Sequence, residues 1–433
     1  MESAAIIVFV GLLIFLSHLF TSIFERKRIP DVLLLMIIGL LLGPILGLVS
    51  PADFGIAGPM FTTITLVIIL FEGGLALRMD TLKNAIRGTT ALTITNFFVT
   101  MVAIGLIAWL IFGLNPVAGF MLGAILGGTS SAVVIPMVQH LNIKKDSKTI
   151  LVLESALSDV LCIVIALALL ETFNVDEVKI GFVIGKIISS FFFAAFLGWV
   201  GAMVWSFFLN RIRMIRNAIF TTPAFVFIIY GIAEILGFSG AISALAFGIT
   251  LANIDIFYIG FMKKFVANKS ISLNETEKIF FGEIVFILKT FFFVYIGLSI
   301  QLLNVLALVL GLFVTVIIFC LRIPIVKIAI RKTFPTFDLT MFSVMVPKGL
   351  AAAVLASLPF QHGIDGGEFI RDITYAVILF SIVFSSLLVP CIEKSATVRS
   401  FYGLLLRKGL FFWRNSKSNE SPDVNADDDK NTL

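Results

Sequence analysis

The sequence predicts an all-α polytopic membrane protein with about 13 transmembrane helices. Of its 433 residues, 59% are hydrophobic and only 14% are charged, whereas a soluble protein has roughly 25% charged residues. The apolar residues also recur in runs of about twenty, the length that an α-helix needs to cross a bilayer core of about 30 Å. This composition excludes soluble enzymes and nucleic-acid-binding proteins, despite the net charge of +5.

Polar breaks between the apolar runs set the predicted limits of the spans. The spans are predicted at 3–24, 31–50, 59–77, 89–113, 116–140, 150–172, 179–208, 218–237, 239–260, 277–300, 302–328, 338–360 and 370–392. One alternative stays open near Gly237 and Gly240, where a single glycine-rich re-entrant pair would replace two spans.

Basic residues cluster after the odd-numbered spans. The clusters are Arg26/Lys27/Arg28, Arg78/Lys83/Arg87, Lys144/Lys145/Lys148, Arg211/Arg213/Arg216, Lys263/Lys264/Lys269/Lys278 and Lys327/Arg331/Lys332. The loops after even-numbered spans hold only Lys179 and Arg371. Because cytoplasmic loops carry the excess of Lys and Arg, the N-terminus is predicted outside and the C-terminus in the cytoplasm of a plasma-membrane protein.

Cysteine and histidine residues are too few and too scattered to form a disulfide framework or a metal motif. They are Cys162, Cys320, Cys391, His18, His140 and His362. The sequence therefore predicts no cofactor.

Six ionisable residues lie deep in apolar runs, where each unpaired charge would cost about 2.5–3.5 kcal/mol or more. They are Glu72, Glu154, Asp159, Lys289, Arg322 and Lys348. Three acids and three bases suggest mutual pairing. A set of purely structural salt bridges is the alternative to a functional site.

Span six carries two carboxylates and two hydroxyls, in Glu154-Ser155-x-x-Ser158-Asp159. At 100° per residue, Ser155 and Asp159 share one helix face, while Glu154 and Ser158 share a neighbouring face. Two hard oxygen donors one turn apart suit a small alkali cation that loses part of its hydration shell. We therefore expect the cation site at Asp159 and Ser155, and a structural ion-pair partner in Glu154.

Spans five and twelve contain residues that interrupt a helix. Span five reads Gly127-Gly128-Thr129-Ser130-Ser131 and reaches Pro136, and span twelve reads Val346-Pro347-Lys348-Gly349. Irregular backbone at membrane depth survives only where protein or a water-filled cavity satisfies it, as at the ion sites of transporters. A packing stripe of small residues is the alternative, and it fits Gly39, Gly43 and Gly47 better, as an internal contact or as a dimer seam.

Interrupted spans recur at an offset of seven, span three with ten and span five with twelve. An odd offset means opposite orientation, which predicts two inverted six-helix repeats with discontinuous helices 5 and 12. The transmembrane domain is then 1–392, with repeats at 1–172 and 218–392 and a linker helix at 179–208. Residues 393–433 are predicted to be a cytoplasmic tail, largely disordered from 415.

These motifs resemble the monovalent cation:proton antiporter superfamily, and most closely its NhaP/NHE-type sodium/proton exchangers. The resemblance covers about residues 1–392. It rests on Gly128-Thr129-Ser130-Ser131, on Glu154-Ser155-x-x-Ser158-Asp159 and on Pro347-Lys348-Gly349-Leu-Ala-Ala.

The resemblance implies a role for each matched residue. Asp159 would carry the cation and the proton in turn, and Thr129 and Ser155 would supply oxygens to a Na⁺ ion held at Asp159. Glu72 and Ser158 complete the expected cation-binding set. Glu154 would form a structural ion pair with Arg322.

Two departures from the family's pattern matter, at positions 158 and 348. Position 158 is Ser where the exchangers usually have Asn, which leaves one carrier carboxylate and predicts electroneutral exchange. Lys289, however, lies where the electrogenic branch carries a lysine, so stoichiometry stays open. Lys348 replaces the family's Arg, which keeps the charge but loses the bidentate fork, so its pairing is expected to differ. Lys289 and Lys348 are the expected modulating charges.

The expected function is secondary active exchange of a monovalent cation, with Na⁺ favoured over K⁺ or Li⁺, for protons by alternating access. The protein is expected to be a transporter without cofactor, a homodimer in the lipid bilayer, and not an enzyme or a nucleic-acid binder. The alternatives are a potassium/proton antiporter and a cation channel on the same scaffold.

Overall fold

The computed structural model describes residues 8, 11–20, 30–55, 57–77, 79–174, 180–212, 218–257, 274–330 and 334–407. Most of these residues are helical, and no β-strand occurs in these ranges. The predicted all-α class is therefore confirmed.

The chain forms seventeen α-helices in the described ranges, besides a π-helix at Leu41–Ile45 and 3-10 helices at Pro51–Phe54, Thr172–Asn174 and Ala218–Phe220. Those of the first half are α1 (Gly11–Phe20), α2 (Asp31–Leu40), α3 (Ala57–Ala76), α4 (Met79–Leu110), α5 (Pro116–Ile125), α6 (Ser131–Gln139), α7 (Lys145–Glu171) and α8 (Ile180–Ile212). Those of the second half are α9 (Thr221–Ile235), α10 (Gly240–Ala252), α11 (Ile254–Phe257), α12 (Glu275–Ser299), α13 (Val305–Ala329), α14 (Thr336–Val344), α15 (Leu350–Gln361), α16 (Gly367–Lys394) and α17 (Ala396–Arg407).

Six apolar segments of the described chain are long enough to cross a membrane. They are Thr89–Leu110, Lys145–Glu171, Ser189–Leu209, Thr276–Ser299, Val305–Ala329 and Gly367–Lys394. They coincide with predicted spans four, six, seven, ten, eleven and thirteen. The other predicted spans coincide with shorter apolar helices, and spans five and twelve are each split into two helices.

Several predicted features fall outside the described residues. They are the ends of the first span, the basic residues Arg26, Lys27, Arg28, Arg78, Lys179, Arg213, Arg216, Lys263, Lys264, Lys269, Arg331 and Lys332, and the tail from 408 onward.

Helix ends follow local sequence signals. The Asn115 side chain accepts a hydrogen bond from the Ala118 amide at 2.8 Å, and Pro116 occupies the first helical position of α5. Asn274 and Glu277 form a reciprocal capping box at the start of α12. Near Gly237 and Gly240 the structure has two helices, α9 and α10, joined through Gly237 at φ +77°.

Helix α17 was not predicted from the sequence. It follows α16 after one residue and packs on α14. Leu406 is buried, and Arg399 donates to the carbonyls of Ile392 and Glu393 at 3.2 and 2.7 Å. The start of the predicted tail is thus part of the folded protein.

The helices pack as two bundles, defined by the neighbours that each helix contacts most. The α3 bundle comprises α2, α3, α8, α9, α10 and α12, and the α7 bundle comprises α4, α5, α6, α7, α13, α14, α15 and α16. Contacts between the bundles are fewer, and α3 and α12 make most of them with α7 and α15.

Glycines allow two close helix crossings inside the α3 bundle. An ideal Cβ on Gly39 of α2 would lie 2.9 Å from the Cα of Gly297 on α12. An ideal Cβ on Gly74 of α3 would lie 3.0 Å from the Cα of Gly248 on α10. Gly39 therefore belongs to an internal contact, and so does Gly43, which packs against Leu298, whereas nothing in the described chain packs against Gly47.

Candidate functional site

The two interrupted helix pairs cross each other in the α7 bundle. The first interruption separates α5 from α6 over 126–130, and the second separates α14 from α15 over 345–349. The Ser130 amide donates to the Pro347 carbonyl at 2.8 Å, and a Cβ on Gly349 would collide with the Ser130 side chain. The crossing thus satisfies part of the backbone that the interruptions free, as membrane depth requires.

Lys348 is enclosed at this crossing. The residue is 1% exposed. Its Nζ donates to the Gly128 carbonyl at 2.5 Å, and its amide donates to Ser381 Oγ at 2.9 Å. Gly128 follows the C-terminal end of α5, where a helix carries partial negative charge. The ammonium is therefore held by a helix end and a carbonyl.

Asp159, in contrast, lies at the N-terminal end of another helix. Its Oδ2 accepts a hydrogen bond from Ser131 Oγ at 2.7 Å and one from the Ser131 amide at 3.3 Å. Ser131 is the first residue of α6, and its amide has no partner within that helix. The positive end of the helix dipole and two donors therefore stabilise the carboxylate.

A cavity of about 350 Å³ separates the two bundles beside Asp159. Residues of α6, α7 and α15 line one side, and residues of α3, α10 and α12 line the other. Among the described residues, three charged ones face this space, Glu72, Asp159 and Lys289. The lining also includes Ser130 and Ser131, so carboxylates and hydroxyls interrupt an otherwise mostly apolar lining.

The other predicted hydroxyls do not belong to the described lining of the cavity. Ser158 Oγ accepts from the Thr129 amide at 3.0 Å and lies 3.2 Å from Thr129 Oγ1. Ser155 Oγ donates to the Val152 carbonyl at 2.9 Å. Thr129, Ser155 and Ser158 are all buried. The expectation that Ser155 presents its oxygen beside Asp159 is therefore not met in this conformation, in which Ser131 has that position.

Sequence reasoning could have found Ser131. It belongs to the same run of three hydroxyls as Thr129, and it stands where an interrupted helix resumes. A resumed helix needs acceptors for its first amides, and a carboxylate on a neighbouring span can supply one. The helical periodicity of span six gives the direction of Ser155 relative to Asp159, but not the rotamer of its hydroxyl.

Glu154 and Arg322 form a bidentate ion pair within the α7 bundle. Arg322 Nη1 and Nη2 donate to the two carboxylate oxygens at 2.5 and 2.6 Å. Arg322 Nε donates to the Phe342 carbonyl at 2.9 Å, and both charged side chains are at most 1% exposed. The pair joins α7 to α13 and α14, the arrangement that the family resemblance implied.

The expectation that the six buried charges pair among themselves is wrong for the two lysines. Lys348 bonds to a backbone carbonyl, as described above. Lys289 Nζ instead lies 3.1 Å from Asp31 Oδ2. Asp31 escaped the sequence analysis because it is the first residue of a span, where a carboxylate is ordinary.

Comparison with known proteins identifies the family of this chain and several of its relatives. The family model "Sodium/hydrogen exchanger, transmembrane" matches residues 11–394. Na(+)/H(+) antiporter 1 of Methanocaldococcus jannaschii is 32% identical over 182 residues, which are 40% of this chain and 41% of that protein. The K(+)/H(+) antiporter NhaP2 of Shewanella sp. strain ANA-3 is 23% identical over 382 residues, 86% of this chain and 64% of that protein. The chain thus spans between two fifths and two thirds of the length of these curated relatives.

A solved structure has the same fold. The sodium proton antiporter MjNhaP1 from Methanocaldococcus jannaschii, at pH 8, matches with a TM-score of 0.71 and 22% sequence identity. The match covers 89% of this chain and 100% of that chain. Because the family model extends over most of the sequence, the chain belongs to the sodium/hydrogen exchanger family.

Proposed function

We propose that the protein is a secondary active antiporter that exchanges Na⁺ for H⁺ across the cell membrane by alternating access. The observation that carries this proposal is the setting of Asp159. Its carboxylate faces the cavity between the bundles, at the start of a resumed helix, and its hydrogen bonds in the described chain come from Ser131. Asp159 can therefore release a proton and bind a cation, or the reverse.

Competition at one carboxylate couples the two ions. In a low-dielectric bundle, an anion without a proton or a cation is costly. Asp159 therefore holds one proton or one cation, and loading either ion expels the other. Because the proposal uses one carrier, the exchange is one cation for one proton and moves no net charge.

The proposed cation site combines Asp159 with oxygen donors around it. Ser131 Oγ lies against the carboxylate, and Glu72 lines the same cavity. Thr129, Ser155 and Ser158 are hydrogen-bonded to one another outside the described cavity lining. Small rotations of these hydroxyls bring further oxygens to a dehydrating ion, as hard alkali cations require.

The cavity is proposed to open to the cytoplasm. It is lined by the C-terminal part of α3, including Ala76, and by the N-terminal part of α12, including Gly282. By the positive-inside rule, these helix ends adjoin basic loops and face inside, which leaves the N-terminus outside. Movement of the α7 bundle against the α3 bundle would then expose Asp159 to the other side.

An arrangement of thirteen spans in two inverted repeats supports this motion. Repeats at 1–172 and 218–392, with a linker at 179–208, relate span two to nine and span three to ten. Two helix contacts support this proposed relation, since α2 packs on α12 and α10 packs on α3. The two glycine crossings, Gly39 with Gly297 and Gly248 with Gly74, are related in the same way.

Potassium is the second candidate cation, because a relative aligned over 86% of the chain is named a K(+)/H(+) antiporter. Oxygen ligands alone do not choose among alkali ions. The protein is further proposed to be a homodimer in the plasma membrane, with its tail in the cytoplasm and with no cofactor. A cation channel on the same scaffold is the remaining alternative.

Everted vesicles with a pH-sensitive dye test the proposal. Pulses of Na⁺, K⁺ or Li⁺ are expected to drive proton movement in the wild type, and an imposed voltage is expected to leave the rate unchanged. Asp159→Asn should abolish exchange at normal protein level, because the amide still accepts from Ser131 but carries no charge. A cation gradient that fails to drive protons uphill would indicate a channel. Full exchange by Asp159→Asn would refute the carrier assignment.

A further inference from the structure

The ion pair between Lys289 and Asp31 borders the cavity that contains Asp159. Lys289 Nζ lies 3.1 Å from Asp31 Oδ2, and the two side chains are 14% and 11% exposed. Lys289 also lines the cavity itself, on the side opposite Asp159 and next to Glu72 of α3. A basic side chain in this wall would oppose the entry of any cation.

We propose that Asp31 is a positioning residue, which holds the ammonium of Lys289 out of the cation path and thereby sets the affinity of the cavity for its cation. The inference rests on the proposed antiport function. It adds a residue outside the carrier site, on the first turn of α2, to the determinants of that function.

Asp31 is well placed to hold a lysine. Its Oδ1 accepts from the Val32 amide at 2.9 Å, and as first residue of α2 it lies at the positive end of a helix dipole. The pair is also fixed by packing. Gly39 and Gly297, each eight residues further along its helix, form the close crossing of α2 and α12. The two partners are therefore kept in register.

Without its partner Asp31, the Lys289 ammonium competes with the transported cation for the carboxylates of the cavity. This ammonium is a compact charge on a flexible four-carbon stem. The acidic side chains in the described lining of its cavity are Glu72 and Asp159. Lys348, another buried base, is already bound to the Gly128 carbonyl. An unpaired Lys289 is thus a tethered monovalent cation that turns toward the carboxylates that the transported ion needs.

A merely structural tie between α2 and α12 predicts a different pattern. If the pair only held the helices together, removing either partner would damage the protein in the same way. If Asp31 neutralises Lys289, Asp31→Asn lowers the affinity for the cation, whereas Lys289→Gln leaves it equal or higher. The sign of the change therefore distinguishes the two roles.

The test measures half-saturating Na⁺ concentration and maximal exchange rate in vesicles. Asp31→Asn is expected to raise half-saturation about tenfold or more, equivalent to about 1.4 kcal/mol or more, with a maximal rate near that of the wild type. Lys289→Gln should leave half-saturation equal or lower. The double variant should return to the value of Lys289→Gln, and Asp31→Glu to that of the wild type. Glu368→Gln, which breaks an exposed pair with Arg371, is the matched control and should change neither quantity.

Two results overturn the inference alone. One is wild-type exchange with unchanged half-saturation in Asp31→Asn. The other is a raised half-saturation in Lys289→Gln, which also decides the matter if Asp31→Asn does not fold. Absence of cation-driven proton movement in the wild type would instead overturn the proposed function, and this inference with it.

Discussion

Removal of the Glu154 carboxylate should destabilise the protein strongly, because it leaves Arg322 charged and enclosed. Glu154→Ala deletes two charge-assisted hydrogen bonds, at 2.5 and 2.6 Å, and spares only the bond from Nε to the Phe342 carbonyl. The Arg322 side chain is 0% exposed, so water cannot replace the lost partner. Breaking such a buried pair costs about 3–5 kcal/mol. At about 2 °C per kcal/mol for a large chain, the midpoint of thermal unfolding should fall by roughly 6–10 °C.

Thermal unfolding of detergent-purified protein, followed by size-exclusion fluorescence, measures this shift. Glu368→Gln serves as the control, since Glu368 is 62% exposed in its pair with Arg371 and exposed pairs contribute about 0–1 kcal/mol. Replacing both partners by apolar residues, Glu154→Leu with Arg322→Met, should recover most of the loss. A Glu154→Ala protein as stable as the control would refute the reasoning.

Two further predictions concern the cation site and the helix crossings. Ser131→Ala should raise the half-saturating Na⁺ concentration, because it removes the hydroxyl 2.7 Å from Asp159. Ser155→Ala should have the smaller effect, since its hydroxyl is bonded to the carbonyl of Val152. The vesicle assay compares them, and a larger effect of Ser155→Ala would contradict the site described here. Gly297→Val should lower thermal stability by about 1–3 kcal/mol or reduce folded protein, because the added methyls meet the backbone of α2 at Gly39. An unchanged unfolding temperature of Gly297→Val would contradict this prediction and show that α2 and α12 can move apart at this crossing without loss of stability.

The sequence predicted the fold class and the interruptions because both depend on local composition. Runs of apolar residues determine which segments can lie in a bilayer. Adjacent glycines at Gly127 and Gly128, and Pro347 beside Gly349, weaken a helix wherever it is placed. The family resemblance then supplied the partner of Glu154, which no local pattern could give, since Arg322 is distant in sequence.

The details of the site depended on geometry that spacing does not contain. Periodicity gave Asp159 a direction, but the hydroxyl that meets it belongs to another helix, at Ser131. Lys289 was expected to pair with another deeply buried charge, yet its partner Asp31 lies at a helix start. In each case the decisive contact is made across helices. Residue spacing within one helix predicts which side chains share a face. Only the packing between helices determines which residues of other helices contact that face.

The close glycine contacts within the α3 bundle have a mechanical consequence. Where Gly39 meets Gly297 and Gly74 meets Gly248, the helix backbones are in direct contact, without side chains between them. The pairs α2 with α12 and α3 with α10 are therefore closely packed, and α3, α10 and α12 line one wall of the cavity. The proposed movement of Asp159 between the two aqueous compartments would then take place at the boundary between the two bundles, where the cavity lies.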